Sequence, residues 1–460
     1  MSEFLTEDIA KFLKAHPDLK FIDAFMMSIS GQTLGKRESI KDLERIFRSG
    51  VTFSACAALL DVRGHGHDAA KLGGTDGDPD AVGYPVNGSL VPVPWANTPT
   101  AQCILSMRDV KTQEELWFDP RKILSDVVKA LHADGYRPVV ACELEFYIID
   151  SERTAEGGIK PAKLMRTKAQ PRVAQNLGLD AVEDYASFVS EIERAATLQN
   201  IPATTAVAEY GLGQFEINLH HSNDPLKAAD DAVLLRRLIR GVARAQGHDA
   251  TFMAKPYLEE PGNGLHIHVS LEDKAGNNLF GASGGDVLLG HAIAGLQKTL
   301  AESFAFFAPN FSAFRRFEPW NFVPVNAHWG PNNRSVALRI PHSDAKGRRI
   351  EHRASCADAS PHLAMAAVLA GLHHGIRNKI EPSQPIELSR ADTIAPPRGF
   401  KTPASHLHAA LDDLVRAKRI TDSIPARFLR AYRDTKRGEF NELFERPTPV
   451  SYTHLTLPTK

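Results

Sequence analysis

The sequence is poor in cysteine and carries almost no excess charge. Its 460 residues include only four cysteines, and these are far apart and form no Cys-x-x-Cys pair: Cys56, Cys103, Cys142 and Cys356. That spacing argues against a disulfide framework or a structural zinc knot, and we expect a cytoplasmic location. The formal net charge of -1 argues against a nucleic-acid binder that relies on bulk positive charge.

Long apolar runs are also missing. No run reaches the roughly 18 apolar residues that a membrane-spanning helix needs, so we expect no membrane partner. Acidic residues near the start, Glu3, Glu7 and Asp8, argue against a secretory signal. With 43% hydrophobic and 24% charged residues, the chain has the composition of a globular protein long enough for two domains.

The chain divides into two regions of different character. Residues 1–115 are irregular, with a Gly/Asp-rich loop at 61–80 and alternating prolines at 91–95, and they predict a small β-rich domain. From Asp119-Pro120 onwards, helical periodicity alternates with short strands, which predicts an α+β catalytic domain at 116–450 built on an antiparallel sheet. Residues 451–460 continue no pattern, and we interpret them as a non-native tail.

Four predicted strands carry charged or ligating residues at alternate positions, which share one face of a strand. These residues are Glu143 and Glu145; Glu216, Asn218 and His220; His266 and His268; Glu351 and Arg353. For any single strand a solvated face is the alternative. If the four faces converge, they form a cleft walled by carboxylates, which repel one another unless cations neutralise them. Oxygen-rich ligands with an occasional imidazole favour Mg²⁺ or Mn²⁺ over zinc.

A second group of residues is basic and falls between positions 315 and 353. Its members are Arg315, Arg316, Arg334, Arg339, Lys346, Arg348, Arg349 and Arg353. A solvated basic surface is one interpretation. Beside a carboxylate cleft, the sharper interpretation is a clamp for phosphates and carboxylates, which arginine bonds with two parallel N–H groups. The histidines of 63–68 could bind a metal, although a flexible loop is the favoured interpretation there.

Six segments, in order, resemble the glutamine synthetase superfamily, and the resemblance covers residues 17–445. They are Cys-Glu-Leu-Glu-Phe at 142–146, Ala-Glu-Tyr-Gly-Leu-Gly-Gln-Phe-Glu at 208–216, Phe-Met-Ala-Lys-Pro at 252–256, Gly-Asn-Gly-Leu-His-Ile-His-Val-Ser at 262–270, Asn-Arg-Ser-Val-Ala-Leu-Arg-Ile-Pro at 333–341, and Arg-Arg-Ile-Glu-His-Arg at 348–353. The resemblance implies a small N-terminal β-grasp-like domain and a large catalytic domain with a curved antiparallel sheet backed by helices. It also implies a homo-oligomer of stacked rings, a dodecamer, with active sites between neighbouring subunits.

The resemblance also implies a role for each site residue. Glu145, Glu209 and Glu216 would hold one Mg²⁺ or Mn²⁺ ion, and Glu143, His266 and Glu351 a second. ATP would contact His268, Ser270, Arg339 and Lys346, and glutamate would contact Gly262, Arg316 and Arg353. Arg334 would be the catalytic residue that stabilises the transferred phosphoryl group. The implied reaction is ATP-dependent ligation of glutamate to an amine through a γ-glutamyl phosphate, beneath a mobile flap near 316–324.

Two departures from the family pattern bear on the amine. Phe322 falls near the flap glutamate that helps glutamine synthetases bind ammonium, and the N-terminal Asp-Gly-Ser-Ser signature is missing. An aromatic in place of a carboxylate weakens a cation site and enlarges an apolar one. The sequence therefore resembles the γ-glutamylpolyamine and γ-glutamyl-monoamine synthetase branch, which predicts an alkylamine or polyamine substrate. Glutamine synthetase proper, using ammonium, is the alternative.

The N-terminal acidic loop has two interpretations. Asp78 or Asp80 could replace the lost carboxylate across a subunit interface, although a Gly-rich acidic loop is also typical of a solvated turn.

Two other classes of function are alternatives to a ligase. A catalytically silent scaffold protein would show no metal-dependent nucleotide binding. A metal-dependent hydrolase using the same cleft would turn over without ATP.

Overall fold

The computed structural model describes residues 3–155, 157–174 and 176–444. The predicted non-native tail, 451–460, lies outside this part of the chain. Within the described residues, no helix combines the length and the apolar composition needed to cross a membrane.

The N-terminal part is built on a six-stranded sheet. Its strands are β1 (Phe21–Met27), β2 (Thr33–Ser39), β3 (Val51–Ser54), β4 (Asp80–Pro85), β5 (Val91–Pro92) and β6 (Thr100–Asp109). Their order is β2-β1-β6-β4-β3, with β5 beside β6. Strands β1 and β6 run parallel, and the other pairs are antiparallel. Helices α1 (Glu3–Ala15) and α2 (Leu43–Ser49) accompany this sheet. The β-grasp-like description and the boundary at residue 115 stay predictions.

A second sheet of nine strands carries the predicted site. Its strands are β7 (Arg137–Arg153), β8 (Ile159–Pro161), β9 (Ala203–Ala208), β10 (Gln214–Leu219), β11 (His248–Thr251), β12 (Leu265–Glu272), β13 (Trp329–Pro331), β14 (Leu338–Ile340) and β15 (Ile350–His352). The order is β13-β14-β15-β12-β7-β10-β9, with β8 and β11 also paired to β7. All pairs are antiparallel except β13 with β14.

Helices pack against this second sheet and against one another. They are α3 (Pro120–Ala133), α4 (Leu179–Asp184), α5 (Ala186–Leu198), α6 (Pro225–Ala245), α7 (Gly285–Phe307), α8 (Pro361–Arg377), α9 (Leu407–Val415) and α10 (Ala426–Phe444). Helices α3 and α6 contact β7, and α5 contacts β9. The α+β class, with a mainly antiparallel sheet backed by helices, is confirmed.

Local sequence explains where two of these helices begin. Asp119 accepts a hydrogen bond from the Arg121 N–H, and Asp224 accepts from the N–H groups of Leu226 and Lys227. In both helices proline follows the aspartate, at a position whose N–H would have no helical partner. The two Asp-Pro pairs therefore mark helix starts, and the sequence analysis predicted the one at Asp119-Pro120.

The apolar helix α8 is buried against α7 at a glycine contact. A Cβ atom at Gly295 would lie 2.2 Å from the Gly371 carbonyl oxygen and 2.6 Å from the Gly375 Cα atom. Only glycine lets the two backbones approach this closely. Nearly all of α8 is buried, as the absence of a polar face on this helix favours.

Candidate active site

Strand register places the predicted ligands side by side on one face of the second sheet. Glu216 of β10 lies opposite Glu145 of β7, and His266 of β12 lies opposite Glu143. His268 lies opposite Glu351 of β15. Residues that are directly opposite in a ladder point to the same face, and alternate residues along a strand do so as well. The four polar strand faces therefore converge into one cleft, and the apolar residues between them point towards the helices.

Glu143 lies at the centre of the cleft and contacts both histidines. Nε2 of His268 donates to Glu143 Oε1 at 2.7 Å, and Nδ1 of His266 donates to Glu143 Oε2 at 3.1 Å. Burial alone would raise the pKa of the Glu143 carboxyl. The charge of His268 and the two histidine hydrogen bonds outweigh burial, so the pKa lies far below its usual range. Glu143 is therefore ionised at neutral pH.

Glu351 is a second ionised carboxylate, and it is almost fully buried, with 1% of its surface exposed. It accepts from Arg339 Nη1 at 2.7 Å and also pairs with Arg353. Burial opposes ionisation, but the charge of Arg353, followed by that of His268, lowers the pKa of Glu351 to about 2. Glu351 thus orients two guanidinium groups. The family resemblance assigned Arg339 to ATP and Arg353 to glutamate.

Arg349 makes a contact that sequence reasoning missed. Its Nε donates to His268 Nδ1 at 3.1 Å. The His268 ring is therefore held from both sides, by Glu143 at Nε2 and by Arg349 at Nδ1. Arg349 was part of the basic group without a role. Its position two residues before Glu351 on the same strand face was the available signal.

Two further carboxyl groups behave in the opposite way. Burial, and then the charges of Glu143, Glu145 and Glu209, raise the pKa of Glu216 to about 9. Burial, followed by the charge of Glu145, raises the pKa of Glu209 to about 7. Like charges at close range disfavour ionisation. The cleft thus contains more carboxylates than its own cations neutralise, and this donor set fits divalent cations.

Two sets of three donor groups in the cleft could each hold a metal ion. Glu143, Glu216 and His266 form one set and Glu143, His268 and Glu351 the other, with the ligand atoms of each set within 4.8 Å of one another. Glu145 lies next to these sets, with Oε1 3.7 Å from His266 Nε2. The structure therefore brings His268 to a metal-ligand position, although the sequence assigned it to ATP. Which ligand serves which ion stays a prediction.

The residues predicted to bind glutamate lie beside this cluster. Arg316 is buried and donates from Nη1 to the carbonyl oxygens of Ala354 (3.4 Å) and Ser355 (3.3 Å). A Cβ atom at Gly262 would lie 2.8 Å from Arg316 Cγ, so the side chain packs directly on that glycine. Arg353 reaches the same region through its pair with Glu351.

The remaining predicted site residues lie partly on strands and partly in loops. Arg334 is near enough to Glu209 to lower its pKa slightly against the larger effect of burial. Ser270 lies two positions beyond His268 on β12 and hence on the same strand face. Lys346 lies in the loop before β15, where its carbonyl oxygen accepts from Asn278 Nδ2 at 2.8 Å. Asp80 begins β4 of the N-terminal sheet. Asp78 lies in the loop before β4, where its carboxylate accepts a hydrogen bond from Ser54 Oγ. These assignments stay predictions.

A third cluster of possible ligands lies outside the cleft, between the loop after β3 and helix α10. Asp61, His65 and Glu442 also have ligand atoms within 4.8 Å of one another. Here the guanidinium of Arg63 pairs with both carboxylates, and His67 Nε2 lies 2.9 Å from Asp61 Oδ2. Because cations of the chain already neutralise these carboxylates, the contacts favour a structural role.

Comparisons with known proteins agree with this geometry. Residues 118–455 match the family described as "Glutamine synthetase, catalytic domain". The chain is 38% identical over 386 residues to γ-glutamylputrescine synthetase PuuA of Escherichia coli (strain K12), covering 83% of this chain and 81% of that protein. It is 30% identical over 405 residues to glutamate–isopropylamine ligase of a Pseudomonas species, covering 86% of each. Glutamine synthetase of Pyrococcus woesei is 29% identical over 414 residues, covering 88% of this chain and 87% of that protein.

A solved structure supports the fold independently. The GmaS/ADP complex superimposes with a TM-score of 0.82, covering 97% of this chain and 99% of that chain. Its sequence identity is 22%, so this likeness shows the fold alone.

Proposed function

The chain belongs to the glutamine synthetase family, and from that premise we propose that it is a glutamate–amine ligase that consumes ATP. The reaction joins the γ-carboxylate of glutamate to an alkylamine or polyamine through a γ-glutamyl phosphate. The observation that carries this proposal is the cleft in which the polar faces of four strands converge, where burial and then like charge raise the pKa of Glu216 and Glu209. Such a site favours cations, and phosphoryl transfer to a carboxylate requires them.

The six ligands predicted from the sequence would hold Mg²⁺ or Mn²⁺, two or more per site: Glu143, Glu145, Glu209, Glu216, His266 and Glu351. When bound, these ions supply positive charge that offsets the phosphate charges of ATP. His268, Ser270, Arg339 and Lys346 bind ATP. Gly262, Arg316 and Arg353 hold glutamate with its γ-carboxylate towards the ATP phosphates.

The chemistry has two steps. A carboxylate is a poor electrophile, so an oxygen of the glutamate γ-carboxylate first takes the γ-phosphoryl group, and ADP leaves. Arg334 stabilises the charge on the transferring phosphoryl oxygens. The amine nitrogen then attacks the acyl carbon, phosphate leaves, and the nitrogen loses a proton. The ion pairs of Glu351 hold Arg339 and Arg353 in place before substrate binds, which lowers the entropic cost of alignment.

The choice of amine rests on two observations. Two of the similar proteins are named for amine ligation, to putrescine and to isopropylamine. In addition, Phe322, an aromatic side chain, falls near the flap position at which the family resemblance implies a glutamate in ammonium-using enzymes. We therefore assign an alkylamine or polyamine. Glutamine synthesis from ammonium is the second candidate, because archaeal glutamine synthetases are similar over most of this chain.

Assembly and location follow from the same premise. The ligase works as a homo-oligomer, a dodecamer of stacked rings with active sites between subunits, in the cytoplasm. Residues 1–115 form the N-terminal domain and residues 116–450 the catalytic domain. Light scattering coupled to size-exclusion chromatography tests the assembly, and a monomeric mass together with full activity would contradict inter-subunit sites.

An amine panel tests the reaction. The purified chain is given ATP, glutamate and Mg²⁺ or Mn²⁺ with ammonium, methylamine, isopropylamine, putrescine or spermidine, and both ADP and the γ-glutamyl amide are measured. We expect at least one alkylamine or polyamine to exceed ammonium in kcat/KM. Glu145→Gln should abolish turnover, whereas Glu193→Gln, on the exposed face of α5, should not. Ammonium preferred over every amine would support the second candidate, and turnover without ATP would indicate a hydrolase.

A further inference from the structure

Two aromatic side chains of the flap hold an arginine from a later loop between them. The guanidinium carbon of Arg390 lies 4.8 Å from the ring centre of Trp320 and 4.5 Å from that of Phe322. Aromatic faces attract cations at such distances. Asp392 completes the group, and we call Trp320, Phe322, Arg390 and Asp392 the flap clamp.

Asp392 joins both partners of the clamp. It accepts from Arg390 through two parallel bonds, Nε to Oδ1 at 3.0 Å and Nη2 to Oδ2 at 2.6 Å. Its Oδ2 also accepts the backbone N–H of Trp320 at 2.7 Å. Asp392 itself is buried, with 6% of its surface exposed. Hydrogen bonds to a buried carboxylate are shorter and stronger than neutral ones, so this residue anchors the flap backbone.

The flap backbone needs such an anchor. Trp320 has φ of 73° and Phe322 has φ of 54°, a left-handed conformation that bulky residues rarely adopt. Both side chains are also largely exposed, at 67% and 42%, so little burial holds them. Strained backbone of this kind persists only where surrounding contacts determine it. The contacts that do so here are those to Arg390 and Asp392.

The same loop also holds the segment that contains Arg334. The side-chain amide of Asn333 donates to the Ser389 carbonyl oxygen at 2.9 Å, and the Ala391 N–H donates to Ser335 Oγ at 2.9 Å. Residues 389–392 therefore connect the flap to both sequence neighbours of Arg334. At its other end the flap continues directly from the buried Arg316, which is assigned to glutamate.

We propose that Arg390 and Asp392 are positioning residues that hold the flap and the Arg334 segment together, so that an amine and not water attacks the acyl phosphate. This role rests on the proposed function. Apart from Glu209 and Lys346, the ATP and metal residues lie on strands of the sheet, whereas the clamp joins two loops. Releasing the clamp should slow the first step through Arg334, and it should also expose the acyl phosphate to water in the second step. In a loosened site water attacks the acyl carbon, phosphate leaves, and glutamate is regenerated with ATP consumed and no amide formed.

Arg390→Met removes the charge and keeps much of the side-chain length. We expect its KM for the amine to rise by about tenfold or more, because a displaced flap misaligns the attack. We also expect the ratio of ADP to amide to rise several-fold above that of the unmodified chain, while KM for ATP stays within about twofold. Arg390→Lys, which keeps the cation, should recover part of the coupling. Arg398→Met, an exposed arginine in the same loop region, is the matched control.

A second readout is independent of catalysis. Chymotrypsin, which cleaves after aromatic residues, should cut the ligand-free Arg390→Met protein at Trp320 or Phe322 several-fold faster than the unmodified chain or Arg398→Met. Should Arg390→Met fold poorly, Asp392→Asn takes its place. No amide from the unmodified chain with any amine would overturn the proposed function, and proteolysis would still test the clamp. Amine KM, coupling ratio and cleavage rates equal to those of Arg398→Met would overturn the clamp.

Discussion

Metal binding to the carboxylate cleft should release protons, and the number can be worked out from the cleft. At pH 7 Glu216, with a pKa near 9, is almost fully protonated, and Glu209, with a pKa near 7, is half protonated. Glu143 and Glu351 are already ionised and contribute none. A divalent ion replaces the repulsion between carboxylates by attraction, so Glu216 and Glu209 both ionise. We expect these two carboxyl groups to contribute about 1.5 protons per site to the release when the site fills at pH 7.

Isothermal titration with Mn²⁺ at pH 7 measures this release. The observed heat is plotted against the ionisation enthalpy of several buffers, and the slope is the number of protons released. Glu216→Gln, which stays neutral, should lower the slope by about 1, while Glu193→Gln should leave it unchanged. A slope indistinguishable from zero in the unmodified chain would refute the reasoning, because it would mean that the carboxylates are ionised before the metal arrives.

The same two groups make the stability of the metal-free protein depend on pH. A carboxyl group whose folded pKa is raised contributes stability that is complete below its unfolded pKa, near 4.5, and is lost as pH rises through the folded value. For Glu209 the loss lies between pH 4.5 and 7 and amounts to about 3 kcal/mol. For Glu216 the loss continues to about pH 9. Thermal unfolding should therefore show the metal-free midpoint falling from pH 5 to pH 9, and Mn²⁺ should remove most of the fall.

Three further substitutions test the packing and charge arguments. Glu351→Gln weakens the hold on Arg339 and Arg353, and kcat/KM for glutamate should fall by about 100-fold; an unchanged value in steady-state assays would contradict the role of this pair of ion contacts. Lys436→Met leaves Glu439 buried without its partner, which should cost about 3–5 kcal/mol in urea unfolding, and adding Glu439→Leu should recover part of that loss. Gly295→Ala places a methyl group 2.2 Å from the Gly371 carbonyl oxygen and should cost about 1–3 kcal/mol, so an unchanged thermal midpoint would show that α7 and α8 can separate freely.

Local patterns in the sequence were sufficient to predict which side chains of the sheet share the face that forms the site. Alternation in Glu143-Leu-Glu145 and His266-Ile-His268 reports directly which side chains share a strand face, because the period of a strand is two. The Asp-Pro pairs at 119–120 and 224–225 similarly report helix starts. Where each strand lies relative to the next is not a local property. The resemblance to a known family supplied it.

Contacts between distant loops could not be predicted in this way. Trp320 and Arg390 are separated by 70 positions, and no sequence periodicity links them. Their contact depends on the left-handed backbone of Trp320 and Phe322, which would be predicted only if glycine occupied those positions. The burial of Lys436 beside Glu439 was also missed, because a charged i, i+3 pair on a helix usually indicates a solvated face. In both cases tertiary packing overrides the local preference.

The strands from β14 to β10 form one continuous hydrogen-bonded ladder. Changes of chain length inside this ladder disrupt the site of this enzyme, whereas changes in the loops outside it do not alter the strand register. Deleting one residue inside β7 would turn Glu143 and Glu145 into the hydrophobic interior and bring Leu144 to the substrate side, so acid activation and folding would fail together. The flap and the 389–392 loop take no part in that ladder. Substitutions in these loops can therefore accumulate without shifting the strand register that brings the metal-ligand candidates together.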